Sequence, residues 1–188
     1  MTEKEMVGKV KFRDIPQFIR GGNYRVDMSI PTLAAWVRTQ ETEEKLILCP
    51  DFQRGHVWTE AQQIAWLEFL LRGGKSGRDL YFNDPYWMNW VSNPSGYQDF
   101  VCVDGLQRIT AIQRFVGGEI PVFGHFYEEY EDVRWLNTHH TLFVHINALK
   151  TKREVLQWYL DMNAGGIAHT ADEIARVRKL LTDISPKN

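Results

Sequence analysis

The chain has 188 residues, 44% of them hydrophobic and 24% charged, with a formal charge of −2. That length buries a core without disulfides or a structural metal, and a pI near 6.3 excludes a protein that coats nucleic acid through bulk positive charge, so any DNA contact has to be local. The apolar stretches are too short for a membrane span and the opening Met1-Thr2-Glu3-Lys4-Glu5 does not suit a secretory signal, so a cytoplasmic protein without a membrane partner is expected.

Tyr24, Val26 and Met28 alternate with polar residues, which predicts a half-buried strand. Ser29 and Pro31 then cap and open a helix to about Gln40. The apolar run Leu46 to Cys49 reads as a buried strand. Thr59-Glu60-Ala61-Gln62 is a capping box opening a helix with Ile64, Leu67, Leu70 and Leu71 on one face, stopped by Gly73-Gly74. Leu80 to Phe82, Phe100 to Val103 and Leu142 to Ile146 read as further strands. Thr151-x-x-Glu154 and Thr170-x-x-Glu173 cap two late helices, separated by the stop Asn163-Ala164-Gly165-Gly166. Helices alternate with few, short strands and no linker divides the chain. The expected fold is therefore α/β in the mixed α+β sense, a compact small sheet with packed helices forming a single domain over residues 1–188.

Cys49 and Cys102 both fall in predicted strands and read as buried thiols. The histidines lack zinc-site spacing, and His139-His140 beside the acidic Glu128 to Asp132 stretch reads as an exposed loop.

The strongest chemical signal is the strand Phe100 to Val103 running into Asp104-Gly105-Leu106-Gln107-Arg108 and a helix bearing Ile109, Ile112, Phe115 and Val116. Asp104 and Gly105 make the turn, so Gln107 and Arg108 enter the first helical turn, where free backbone N–H groups and the dipole favour an anion. An arginine there conflicts with the dipole unless something negative sits beside it. A phosphate clamped by Arg108 with Gln107 donating would resolve the conflict, leaving Asp104 to hold a divalent cation such as magnesium or to orient a nucleophile. The alternative is that Asp104 is an N-cap and Arg108 pairs with a carboxylate. Pro50-Asp51-Phe52-Gln53-Arg54 repeats the grammar of a Gln-Arg pair ahead of a helix, and the two pairs could converge on one polyanion; alone, Arg54 reads as a surface salt bridge.

Gly73-Gly74-Lys75-Ser76 fails as a Walker motif, because Phe69 stands where a glycine is needed and a helix rather than a strand precedes it. With Arg72 and Arg78, Lys75 could still touch a phosphate backbone. The segment Tyr81 to Tyr97 holds Tyr86, Trp87 and Trp90 in loop-like composition; these rings either stack on a base or cover the sheet. Arg176, Arg178 and Lys179 form a second basic stripe, for DNA or for solvent.

Three blocks resemble the ParB-like domain of GmrSD-type restriction systems and related phage proteins, within the ParB/sulfiredoxin-like superfamily. Pro50 to Arg54 with Val57-Trp58 resembles its P-x-F-Q-R-x-x-V-W start, Val103 to Arg108 its D-G-Q-Q-R motif, and Met162 to Gly166 with Thr170 to Ile174 its asparagine-glycine-glycine segment and following helix. The resemblance spans roughly residues 24 to 181. It implies a ParB/sulfiredoxin-like fold binding a nucleoside triphosphate such as ATP, in company with Mg2+, at Gln53, Arg54, Gly105, Gln107 and Arg108, with Asp104 and Arg108 catalytic. It further implies hydrolysis or phosphoryl transfer on or beside DNA, in modification or restriction. Leu106 departs from the motif's first glutamine, so phosphate binding transfers more safely than hydrolysis. Only a short tail follows Leu181, so any cutting of DNA is expected from a separate nuclease or modification enzyme. Two variants stand beside this reading: a kinase of hydroxymethylated DNA bases, and a non-catalytic module that binds DNA or protein and is switched by nucleotide. An inhibitor or scaffold with a decayed site is a further one.

Overall fold

The computed structural model describes residues 24–87, 96–164 and 171–184. Strand β1 (Tyr24–Ser29) leads directly into α1 (Ile30–Glu43), and α2 (Glu60–Leu71) is followed by β2 (Asp79–Asn83) and β3 (Val101–Asp104). Helix α3 (Leu106–Val116), a short α4 (Leu136–His139), β4 (Thr141–Asn147), α5 (Lys152–Ala164) and α6 (Ala171–Asp183) complete the order. The strands form one mixed sheet in the order β1-β4-β2-β3, with β4 and β2 parallel and the outer pairings antiparallel. The expected mixed α+β architecture is thus present.

Local chemistry accounts for the helix starts. Ser29 accepts from the Thr32 N–H at 3.3 Å with Pro31 in the first turn. At α2 the box is reciprocal: Thr59 Oγ1 accepts from Gln62 N–H at 3.3 Å, and Gln62 Oε1 accepts from Thr59 N–H at 2.9 Å. Thr151 and Glu154 do the same at α5, each backbone N–H meeting the other's side chain at 3.2 Å. The corresponding box at Thr170, the stop at Gly165-Gly166 and the ring of Trp90 lie outside the described residues.

Strand alternation sends Leu80, Phe82, Cys102, Leu142, Val144 and Ile146 to one face, where they pack with α1, α2 and α3. Val101, Val103 and Tyr81 point to the other and meet Phe52, Tyr159 and the α5–α6 pair. The sheet is therefore the middle of three layers. Among the described residues no helix is long and apolar enough to cross a membrane.

Leu46 to Cys49 departs from its expected strand. Lys45 adopts a left-handed φ of 58°, and the chain then meets β3 only at Ile47, which forms a single parallel bridge to Val101. Cys49 is consequently exposed, while Cys102 is buried as expected. The His139-His140 pair departs as well: α4 ends at His139, and His140 is buried at 4% exposure beside Trp135.

Burial, then the charges of Arg78 and His139, pull the His140 imidazole below its ordinary value. A histidine with a lowered folded pKa gives its full stability above the unfolded value of about 6.5 and loses it as pH falls below that point. Urea unfolding at pH 7 and pH 5 should show a larger acid loss for the native chain than for His140→Leu. Equal losses would remove His140 as the titrating group.

Candidate functional site

Strand β3 ends on Asp104, and the chain turns into α3 through Gly105 at φ 134°, ψ −6°. A Cβ there would lie 2.7 Å from Leu80 Cδ2, so the turn needs glycine for both its backbone and its packing. Gly105, not Asp104, occupies the N-cap position; it makes no side-chain cap, and the first turn of α3 carries no acid. That end keeps the positive potential that a capping carboxylate would offset.

Arg108 donates through Nη2 to Asp104 Oδ2 at 2.6 Å and through Nη1 to the Asp79 carbonyl at 2.8 Å. The alternative in which Arg108 pairs with a carboxylate is therefore realised, and the carboxylate is Asp104 itself. The guanidinium still has further N–H groups for an anion. It also ties α3 to β2, so Arg108 carries part of the fold.

Gln107 is placed differently from its expected role as a phosphate donor. Its Oε1 accepts from Val57 and Trp58 N–H at 2.9 and 3.0 Å, and its Nε2 donates to the Gly55 carbonyl at 3.2 Å. The carboxamide thus clamps the loop carrying Arg54 and Trp58 against the start of α3. Gln53, 8% exposed, donates to the Val103 carbonyl at 3.3 Å, and the adjacent Phe52 is anchored against Tyr159 with ring centroids 5.4 Å apart.

These segments enclose a cleft of about 490 Å³, lined by Gln53, Arg54, Trp58, Trp66, Gly77, Asp104, Gly105, Leu106, Gln107, Arg108, Met162 and Asn163. Gln53 and Arg54 do converge with Asp104 to Arg108, and the end of α5 joins them. Trp66 and Gly77 were not anticipated. Trp66 lies eight residues beyond Trp58, and their rings stand 6.0 Å apart at 54°.

Behind Arg108, on β2 and β4, His145 Nε2 meets Asp79 Oδ1 at 2.7 Å and the His145 ring stacks on Tyr81 at 4.7 Å. Burial, then Asp79 and Asp104, push the Tyr81 phenol up against the opposing pull of Arg108, so it stays protonated. Burial pushes the Cys102 thiol up as well, which makes it a packing group and not a nucleophile. Among the described residues no group of three or more His, Cys, Asp or Glu side chains could hold a metal ion. Asp104 alone fits magnesium only as a single carboxylate beside the phosphates of a ligand that brings the ion in.

The expected DNA-contacting residues lie in the turn after α2, at Trp87 and on α6. Arg78 is a correction: it is 8% exposed and donates to the carbonyls of Gly74, Thr141 and Leu70 at 2.6, 2.9 and 3.3 Å. Arg72 is exposed with its guanidinium 5.0 Å from the Phe123 ring centre, and Lys75 is exposed nearby. Trp87 packs against the first core and sets its edge to Tyr24 at 6.1 Å, so it covers the sheet. On α6, Arg176 donates to the Phe52 carbonyl at 3.1 Å, while Arg178 and Lys179 face solvent.

Searches against protein-family models, curated proteins and solved structures return no match.

Proposed function

We propose that this chain is a cytoplasmic, ParB-like nucleotide-binding enzyme that hydrolyses a nucleoside triphosphate or transfers its phosphoryl group, on or beside DNA. The observation that carries the reading is the convergence of Gln53–Arg54, Asp104–Arg108 and Met162–Asn163, distant in sequence, on one cleft at an uncapped helix N-terminus. Backbone N–H groups of α3 and the guanidinium groups of Arg54 and Arg108 would hold the phosphates, and the same groups would stabilise charge developing on a transferring phosphoryl group. An arriving phosphate competes with Asp104 for Arg108, which releases the carboxylate to orient an attacking hydroxyl or to meet the magnesium that accompanies the nucleotide. Of the cations expected to contact DNA, Arg72, Lys75, Arg178 and Lys179 are exposed and would meet a DNA backbone or a partner enzyme.

Calorimetry with nucleoside triphosphates and magnesium tests the site. Arg108→Ala should lose about 1.5 to 3 kcal/mol of binding, roughly ten- to a hundredfold. Arg54→Ala combined with it should deviate from additivity by more than about 0.5 kcal/mol, since both groups face one ligand. Circular dichroism must accompany the measurement, because Arg108 also holds the Asp79 carbonyl. Unchanged affinity in both variants would remove the cleft as the phosphate site. The non-catalytic switch gains support from one feature, the pairing of Asp104 with Arg108, which occupies the carboxylate. Turnover of labelled nucleotide separates the two: an enzyme releases product, and a switch binds it stoichiometrically.

A further inference from the structure

We infer that the Trp58–Trp66 wall of the cleft is a nucleobase subsite, so that the ligand is a complete nucleotide and not a bare polyphosphate. The inference rests on the phosphate-binding reading of the same cleft. Two lining residues carry enclosed polar atoms without a hydrogen-bond partner: the Gln53 Oε1 acceptor and the Trp66 Nε1 donor. Leaving such atoms unpaired costs about 1 to 3 kcal/mol each, and a ligand whose entry turns these two side chains toward the cleft and pairs them recovers that energy. A phosphate offers only acceptors and cannot satisfy Gln53 Oε1. A nucleoside offers both, through the edge of its base and its sugar hydroxyls.

The wall supplies the other half of base recognition. Trp58 is partly buried on the Gln107-clamped loop, which fixes it relative to the start of α3, where the phosphates would sit. Its indole is a stacking surface. Trp66 is tilted at 54° to Trp58, so the two rings cannot lie on opposite faces of one base; one stacks and the other meets an edge. Gly77 stands against that edge: a Cβ there would be 3.3 Å from Trp66 Nε1, and its left-handed φ of 68° also favours glycine. With no side chain at 77, an entering ring meets only backbone at that point of the wall. The cleft volume of about 490 Å³ lies within the range of small-ligand pockets.

The test compares each nucleoside triphosphate with inorganic tripolyphosphate, by calorimetry on the full chain with magnesium. The native chain should bind at least one nucleotide about tenfold or more tightly than tripolyphosphate. Trp58→Ala should bring the nucleotide down to the tripolyphosphate level and leave tripolyphosphate unchanged. Trp66→Phe keeps an aromatic ring in the core and removes the N–H together with the five-membered part of the indole; it should weaken the nucleotide severalfold and again spare tripolyphosphate. Equal binding of nucleotide and tripolyphosphate to the native chain overturns the base subsite while the phosphate site stands. Equal weakening of both ligands by a correctly folded Trp58→Ala overturns it too. If neither ligand binds the native chain, the phosphate reading falls and the subsite falls with it.

Discussion

Arg78→Met should destabilise the protein by about 3 to 5 kcal/mol, a drop of about 10 °C in melting temperature. Its guanidinium joins three backbone carbonyls: Leu70 at the end of α2, which also accepts from the Gly73 N–H at 3.0 Å, Gly74 in the following turn and Thr141 at the start of β4. Methionine fills most of the volume but donates nothing, so these buried and part-buried acceptors lose their charged partner. Urea unfolding monitored by circular dichroism measures the loss. A loss below about 1 kcal/mol would mean that water replaces the guanidinium without penalty. The result also bears on DNA, because weakened DNA binding in this variant would report damage to the fold and not a lost phosphate contact.

Gly105→Ala should be nearly as costly, about 2 to 5 kcal/mol, for two separable reasons. The φ of 134° is strained for any side chain, and the new methyl would meet Leu80 Cδ2 at 2.7 Å. Leu80→Ala in the same chain removes the collision and leaves the backbone strain, so the double variant should be more stable than the sum of the single losses. Strict additivity would show that strain alone sets the penalty. Nucleotide affinity should fall in Gly105→Ala even where it remains folded, because the turn sets the spacing between Asp104 and the N–H groups of α3.

The elements whose ends are written in local chemistry were legible in the sequence. Ser29, Thr59 with Gln62, and Thr151 with Glu154 each announce a helix within four residues of its start, and the observed caps use those side chains. The run Leu142 to Ile146 likewise read as a strand, and it lies within β4. The failures have a common cause, which is tertiary context. An apolar run at Leu46 to Cys49 says nothing about how many residues of it meet β3, and one does. Arg78 reads as another cation of a basic turn until β4, more than sixty residues later, brings the Thr141 carbonyl to it. At the site, the turn Asp104-Gly105 and the convergence with Arg54 could be read from pattern. That Gln107 would serve a loop, and that Trp66 would line the cleft, depends on how α2 packs against α3. Asp79, Tyr81 and His145 gave no signal at all, since they meet only through the register of β2 and β4.

The strand order sets a timetable for synthesis. β1 hydrogen-bonds to β4 alone, and β4 also supplies the parallel partner of β2. From Ser29 to Asn147 a ribosome must add about 120 residues, which at about 5 to 20 residues per second takes roughly 6 to 24 s. Throughout that interval the nascent β1 has no sheet to join, and its alternating Tyr24, Val26 and Met28 would suit a neighbouring chain on the same polysome. Arg25 and Asp27, which pair with each other at 3.1 Å once folded, place charge between those apolar residues from the outset and oppose such mispairing before the rightful partner has been made.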